Sequence, residues 1–266
     1  MIRAIARVTF LEGLRNKSVY GITLMAGLMM AFTVVLSAMI MRDVGKVATD
    51  LSLSTSTFAA LLVVLFVGIS IITRDMERKT LYLALSRSVP RSRYLVGRFL
   101  GLSLLQLCIV ALLLVASTLT LLLVRQLYPT FFGTVSLGLV TVAHLFILLQ
   151  MLLLTSLSLL FSMVTTSSFV TFILTTMTWL IGSSTQEVKR MIESAGTVTI
   201  APVTKIIVKG AYFLFPNLSL FDLKSVAAHG LALEVSRLVF ALVYGFGYAV
   251  AALALAVILF NKKELT

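Results

Sequence analysis

The chain has 266 residues, of which 59% are apolar and only 12% carry a charged side chain. Soluble domains contain about 45–50% apolar and about 25% charged residues, so this composition, with a mean hydropathy of +1.08, excludes a water-soluble domain and predicts an integral membrane protein. The net charge is +12. In a membrane protein such an excess sets orientation and attracts membrane lipid, and nucleic-acid binding is not expected.

Long apolar runs predict an all-α integral membrane protein in which residues 1–266 form a single transmembrane domain. A helical span needs about 20 apolar residues, whereas spanning strands would alternate apolar and polar positions. The fifth run is rich in Ser and Thr, and only three uncharged residues separate it from the fourth. We predict a cytoplasmic N-terminal helix within residues 1–18 and six transmembrane helices at residues 19–41, 53–73, 99–124, 135–161, 165–183 and 238–260.

The basic residues of the loops predict that both termini are cytoplasmic. The two short loops on the opposite side hold only Arg42, Lys46 and Arg125, and the short segments on the side of the N-terminus hold far more Lys and Arg. Basic residues of short loops are enriched on the cytoplasmic side. Residues 184–237 then form an external segment, with short helices at 186–194 and 203–213. This segment is either a docking site for a periplasmic partner or a packed lid without one.

The predicted spans contain no charged side chain, because all acidic and basic residues lie outside them. Carriers driven by protons commonly hold a carboxylate within the membrane, although sodium can also be held by hydroxyls and carbonyls. No phosphate-binding loop or His-Glu-x-x-His motif occurs, and the spacing of Gly97 and Gly101 does not fit the former. We therefore predict no catalytic residue, no metal site and no cofactor in this chain. His144, Gln106 and Gln150 are predicted to form interhelical hydrogen bonds.

The loop between the second and third spans has the features of a short cytoplasmic helix at residues 75–86. Asp75 and Lys79 are four residues apart with the acid first, which favours a helix. Leu81 and Leu85 share one face of that helix, and Pro90 disfavours helix at the residue before it. A solvated basic loop that only sets the topology is the alternative interpretation.

Three stretches of the chain resemble permease subunits of the ABC-2 family of ATP-binding-cassette transporters, to which the nitrous-oxide-reductase-associated permease belongs. Residues 7–17 (RVTFLEGLRNK) resemble the amphipathic N-terminal helix of that family. On a helical wheel, however, Glu12 falls among Ile5 and Val8 and interrupts the apolar face. Residues 75–101 resemble the coupling segment, and residues 215–222 (FPNLSLFD) resemble the Pro-Asn stretch before the last span.

The resemblance implies a permease of an export-type transporter in a bacterial inner membrane. It would pair with a second permease copy, as a homodimer or heterodimer, and bind cytoplasmic ABC ATPase subunits that hold ATP and Mg. Stand-alone secondary carriers or channels, and membrane anchors or scaffolds of a complex, are the alternative functions. The residues that the resemblance assigns to coupling with the ATPase are Asp75, Glu77, Arg78, Lys79, Leu81, Tyr82 and Leu85.

The fifth predicted span carries a stripe of small residues at steps of three and four. Such stripes allow helices to approach closely and to hydrogen-bond, and they can also line a translocation path. We favour packing as the role of this stripe, which consists of Ser168, Thr171, Thr175, Thr178 and Gly182.

Overall fold

A computed structural model describes residues 1–39, 43–77, 90–133, 135–165, 167–194, 210 and 215–262, and within these ranges every regular element is helical. Nine α-helices are seen in these ranges, and a π-helix joins the third to the fourth. Their bounds are α1 Ile2–Leu14, α2 Lys17–Ser37, α3 Val44–Leu62, the π-helix Val63–Gly68, α4 Ile69–Glu77, α5 Arg91–Leu127, α6 Leu137–Val164, α7 Ser168–Ser194, a 3-10 helix Leu218–Phe221, α8 Lys224–His229 and α9 Val235–Lys262.

Among the residues that the structure describes, five helical stretches are long and apolar enough to cross a membrane, which confirms the prediction of an all-α, multi-pass membrane protein. The fifth predicted run forms α7, but α7 is not among these five stretches, and its Ser and Thr residues explain its lower hydropathy. The count of six spans therefore stays a prediction. The five stretches are Lys17–Ser37, Val44–Thr73, Arg91–Leu127, Leu137–Val164 and Val235–Lys262.

Two spans are longer than their apolar runs predicted. The second begins at Val44 rather than at residue 53, because the polar positions of this first part are buried inside the bundle: Thr49 and Ser52 are both fully buried. The third begins at Arg91, directly after Pro90. With 37 residues at about 1.5 Å each, α5 is nearly twice as long as the hydrocarbon core is thick.

The stretch from α3 through α4 is the most enclosed of the five, and α2 and α9 lie at the edge of the bundle. Many hydroxyl groups inside the bundle donate to the carbonyl three or four residues earlier in their own helix, as Thr49 does to Gly45 and Thr57 does to Leu53. Such bonds satisfy buried Ser and Thr without a partner helix. A buried Ser or Thr that forms such a bond can therefore pack among apolar side chains. Ser52 is an exception, because its hydroxyl has no hydrogen-bond partner among the described residues.

The described part of the predicted external segment folds back onto the bundle. Residues 186–194 continue α7 and are not a separate helix, and of residues 203–213 only Gly210 lies within the described ranges. The 3-10 helix packs against α6 and α7, and α8 packs against α3 and α6. Leu218 and Phe221 are almost completely buried there, so the apolar side chains of this segment belong to the core, while Asp222, Ser225 and His229 are exposed.

Candidate functional site

The predicted coupling residues lie at the end of α4 and beyond it. Asp75 and Glu77 are in the last turns of α4, which continues the second span. The remaining coupling residues lie outside the described residues: Arg78, Lys79, Leu81, Tyr82 and Leu85. The geometry that bears on coupling is therefore that of the two flanks, α4 and the start of α5.

The π-helix Val63–Gly68 interrupts the second span just before α4. Such elements are rare and occur frequently at functional sites. Nε2 of Gln106 on α5 donates to the carbonyl oxygen of Ala60, three residues before the π-helix, at 3.2 Å. The predicted interhelical role of Gln106 is confirmed, and its bond ties α5 to the point where the winding of the second span changes.

The first turn of α5 is held to the end of α9. Nη1 of Arg91 donates to the carbonyl oxygens of Phe260 and Asn261 at 2.8 and 3.3 Å, and its guanidinium lies 5.6 Å from the centre of the Phe260 ring. The carbonyls at a helix C-terminus lack intrahelical partners and carry partial negative charge. A guanidinium placed there both satisfies them and joins the two helices.

Two turns further along α5, Arg98 holds α1. Nη1 of Arg98 donates to Oε2 of Glu12 at 2.9 Å and to Oγ1 of Thr9 at 3.1 Å, and its Nε donates to the Tyr94 hydroxyl at 3.1 Å. The guanidinium also lies 5.6 Å from the centre of the Tyr94 ring. Arg98 is 9% exposed, and a buried charge needs such partners.

Glycines let α1 and α5 approach closely. A Cβ atom added at Gly101 would lie 2.5 Å from Cβ of Thr9 and 2.6 Å from the carbonyl oxygen of Ala6. One added at Gly97 would lie 2.8 Å from Cβ of Ile5. The two glycines are four residues apart on one face, which is the small-xxx-small arrangement of closely packed membrane helices.

The residues of this junction were not predicted as functional residues. In the sequence, Gly97 and Gly101 do not fit a phosphate-binding loop, and Arg91 and Arg98 indicate only the topology. The spacing of the glycines is the signal that would have predicted a close helix crossing. The position of Glu12 on the apolar face of α1 is the signal that would have predicted a cationic partner for its carboxylate.

The small-residue stripe of α7 faces the inside of the chain. Thr171, Thr175 and Thr178 are at most 1% exposed, and each donates to the carbonyl of the residue four positions earlier. Ser168 at the start of the stripe is half-buried. Around the stripe, α7 packs against α4, α6 and the π-helix.

Gly182, at the far end of the stripe, lies against the Pro-Asn stretch. A Cβ atom added at Gly182 would lie 2.6 Å from the carbonyl oxygen of Pro216 and 2.8 Å from Cγ of Leu218. The backbone N–H of Asn217 donates to the Tyr244 hydroxyl on α9 at 2.9 Å. Residues 215–222 therefore join α7 to α9 inside the bundle.

One further polar contact crosses the bundle. Nε2 of His144 on α6 lies 3.1 Å from Oγ of Ser56 on α3, and Nδ1 lies 2.9 Å from the carbonyl oxygen of Val140. The predicted interhelical hydrogen bond of His144 is confirmed. Among the described residues no group of three or more His, Cys, Asp or Glu side chains is placed to hold a metal ion.

Taken with the fold, these contacts join neighbouring helices of the bundle to one another. No curated protein matches the chain, so the particular likeness to the nitrous-oxide-reductase-associated permease stays a prediction. A family model described as ABC-2 family transporter protein matches residues 3–265. The match spans nearly the whole chain, including the helices that flank the coupling segment, and the chain therefore belongs to the ABC-2 family of membrane transport proteins.

Proposed function

We propose that the chain is the permease subunit of an export-type ATP-binding-cassette transporter in a bacterial inner membrane, driven by separate ATPase subunits. In this proposal it works beside a second permease copy, and residues 75–86 seat in a groove of the ATPase. ATP and Mg bind to the ATPase and not to this chain. Family membership supports the transport role.

The observation that carries the proposal is the anchoring of α4 and α5, the two helices on either side of the predicted coupling helix. On one flank, α4 continues the most enclosed span. On the other flank, Arg91 joins α5 to the end of α9, and Arg98 joins it to α1. A displacement of the residues between α4 and α5 would therefore move four helices together, namely α4, α5, α9 and α1. A loop without such contacts would move without displacing them.

The described ends of the chain support an even number of crossings. Arg91 contacts the end of α9 and Arg98 contacts α1, so the first and last described helices meet at the same end of α5. This arrangement fits six spans, with α7 as the fifth. Together with the basic residues near these ends it favours cytoplasmic termini.

In operation, closure of the ATPase pair would displace the coupling segment and tilt α5 together with α1. The glycine crossing and the Arg98 contacts keep these two helices together as one unit. The π-helix offers a place where the second span can yield, since its hydrogen bonds are already out of the regular α pattern. The contact of α7 with α4 and the π-helix would pass this change to the other side of the membrane.

The test uses the purified permease with an ABC ATPase from the same organism that co-purifies with it, reconstituted in lipid nanodiscs. Glu77→Lys and Leu81→Asp should each lower permease-stimulated ATP hydrolysis, because an interface contact of this kind contributes about 1–3 kcal/mol. Cysteines placed at these two positions, in a Cys108→Ser background, should cross-link to the ATPase. The matched control is Arg15→Glu, which changes an exposed charge outside the coupling segment. It should leave hydrolysis unchanged.

An ATPase that neither cross-links to positions 77 and 81 nor responds to their substitution would contradict the proposal. In that case the segment would be a topology signal only. A carrier that works alone would then be the better description of the chain.

A further inference from the structure

An open groove runs between α1, α5 and α6 on the outer surface of the bundle. Its volume is about 530 Å³. The walls are mainly leucines of α5 and α6, and the single hydroxyl among the lining residues, that of Ser103, donates to the carbonyl of Phe99 in its own helix. The leucines of these walls that matter below are Leu104, Leu107, Leu148 and Leu152.

Two arginines of α1 form the polar end of the groove. Arg3 and Arg7 both line it and both are exposed. They are four residues apart on one helix and therefore face the same way. Within the described part of the chain neither guanidinium has a hydrogen-bond or ion-pair partner.

The charged residues of the groove lie at one of its ends, and the apolar residues follow in the direction of α5. Ile2 and Ile5 lie against Gly97, and Gly13 lies against Leu105, so α1 and α5 run in the same direction. Residues 3 and 7 of α1 therefore lie beside the start of this stretch of α5. Leu107 lies about 15 Å beyond Gly97 at 1.5 Å per residue, which is about half the thickness of the hydrocarbon core.

We propose that this groove binds one anionic phospholipid of the leaflet nearest α1. The phosphate of the lipid accepts hydrogen bonds from Arg3 and Arg7, because a guanidinium presents paired N–H donors to phosphate oxygens. One acyl chain lies along the leucines of α5 and α6, which present an apolar wall without an unsatisfied donor. The charge of the two arginines selects a lipid with a net negative headgroup over a zwitterionic one.

The inference does not depend on an ATPase, and its test uses the permease alone. The chain has a single tryptophan, so Trp179→Phe gives a dark background in which Phe10→Trp places one fluorophore on the wall of the groove. The full chain is reconstituted in phosphatidylcholine with increasing amounts of dibrominated phosphatidylglycerol or dibrominated phosphatidylcholine. Quenching by the bromines then gives the relative affinity of the two lipids at that position.

We expect phosphatidylglycerol to be preferred about tenfold at position 10, which corresponds to about 1.4 kcal/mol. The preference should fall to near unity in Arg3→Gln with Arg7→Gln and should persist in Arg15→Gln, which changes an exposed arginine at the end of the same helix. The matched reporter is Phe32→Trp, at a phenylalanine of α2 that is 58% exposed, and it should show no preference.

Salt gives a second measurement that needs no arginine variant. At about 1 M ionic strength, where the Debye length is about 3 Å, the preference at position 10 should shrink while quenching by phosphatidylcholine stays the same. Equal quenching by the two lipids at position 10 would overturn the proposal, as expected if a second copy or another protein covers the groove. A preference that survives the double substitution or high salt would overturn it as well.

Discussion

The guanidinium of Arg98 and the carboxylate of Glu12 lie 2.9 Å apart, and this ion pair joins the base of a spanning helix to the helix at the N-terminus. The side chain of Arg98 is 10% exposed and that of Glu12 is 38% exposed. Charge is thus placed at the junction itself, beside the glycines that bring the two helices together. The Arg98 side of the junction lies in the stretch 75–101 that resembles the coupling segment, so we expect its stability to affect transport.

We expect Arg98→Ala to lower the free energy of unfolding by about 2 kcal/mol, because it removes charge-assisted hydrogen bonds and leaves Thr9 and Glu12 without their donor. Arg98→Lys should recover only part of the loss, since an ammonium group cannot reach three acceptors in the geometry of the planar guanidinium. Unfolding in increasing mole fractions of dodecyl sulfate measures the effect. The control is Arg93→Ala at an exposed position of the same helix, and equal losses for Arg93→Ala and Arg98→Ala would refute the role of the ion pair.

A methyl group at the helix crossing should be as harmful as the loss of the ion pair. Gly101→Ala places a Cβ atom 2.5 Å from that of Thr9, and overpacking of this kind costs about 1–3 kcal/mol. Gly27→Ala on α2 meets nothing within 4 Å and should be neutral or slightly stabilising, because alanine favours helix more than glycine does. The same unfolding assay compares the two variants, and a neutral Gly101→Ala would mean that α1 does not pack against α5 in the membrane.

The stripe of α7 gives a prediction with a closely matched control. Thr175 is fully buried and its neighbour Thr176 is half-buried, while both hydroxyls donate within the helix. Thr175→Leu should therefore cost about 1–3 kcal/mol through overpacking, and Thr176→Leu should cost much less. If the two substitutions prove equivalent in unfolding and in transport, the stripe has no packing role.

The position of the C-terminus decides whether α7 crosses the membrane. With six spans, reporter fusions after Thr266 and after Tyr128 should lie on opposite sides, because three spans separate these positions. If α7 does not cross, only two spans separate them and both fusions report the same side. Alkaline phosphatase and green fluorescent protein fusions at the two positions distinguish these outcomes in intact cells.

Much of the fold could be predicted because a bilayer imposes a simple rule on sequence. Spanning helices need continuous apolar residues, and the described part of the chain contains five such helices. The rule fails where polar residues face other helices instead of lipid. Thr49 and Ser52 are buried inside the bundle, so α3 begins well before its apolar run, and the hydroxyls of α7 lower the hydropathy of a helix whose small-residue stripe is buried.

The candidate site was harder to predict because the same arginines both signal the orientation of a span and form specific contacts between helices. Arginines near a span signal orientation, and nothing in the sequence shows that Arg98 also reaches Glu12, which is 86 residues away. The burial of Leu218 and Phe221 was equally hidden, since they stand in a short segment that begins with Pro216 and Asn217 and is too short to predict a span. Pairings of this kind depend on which helices become neighbours, and apolar patterns do not contain that information.

The π-helix in the second span has a geometric consequence for everything that follows it. A π turn accommodates one residue more than an α turn, and one residue of an α-helix corresponds to a rotation of about 100°. All residues after Gly68 are therefore turned around the helix axis relative to an uninterrupted helix with the same start. Deleting a single residue between Val63 and Gly68 would restore regular winding and leave the residues of α4 at their present azimuth. A regular α-helix of unchanged length would instead turn them by about 100°. The azimuth of the last residues of α4 is thus set by one extra residue in the π-helix that precedes α4.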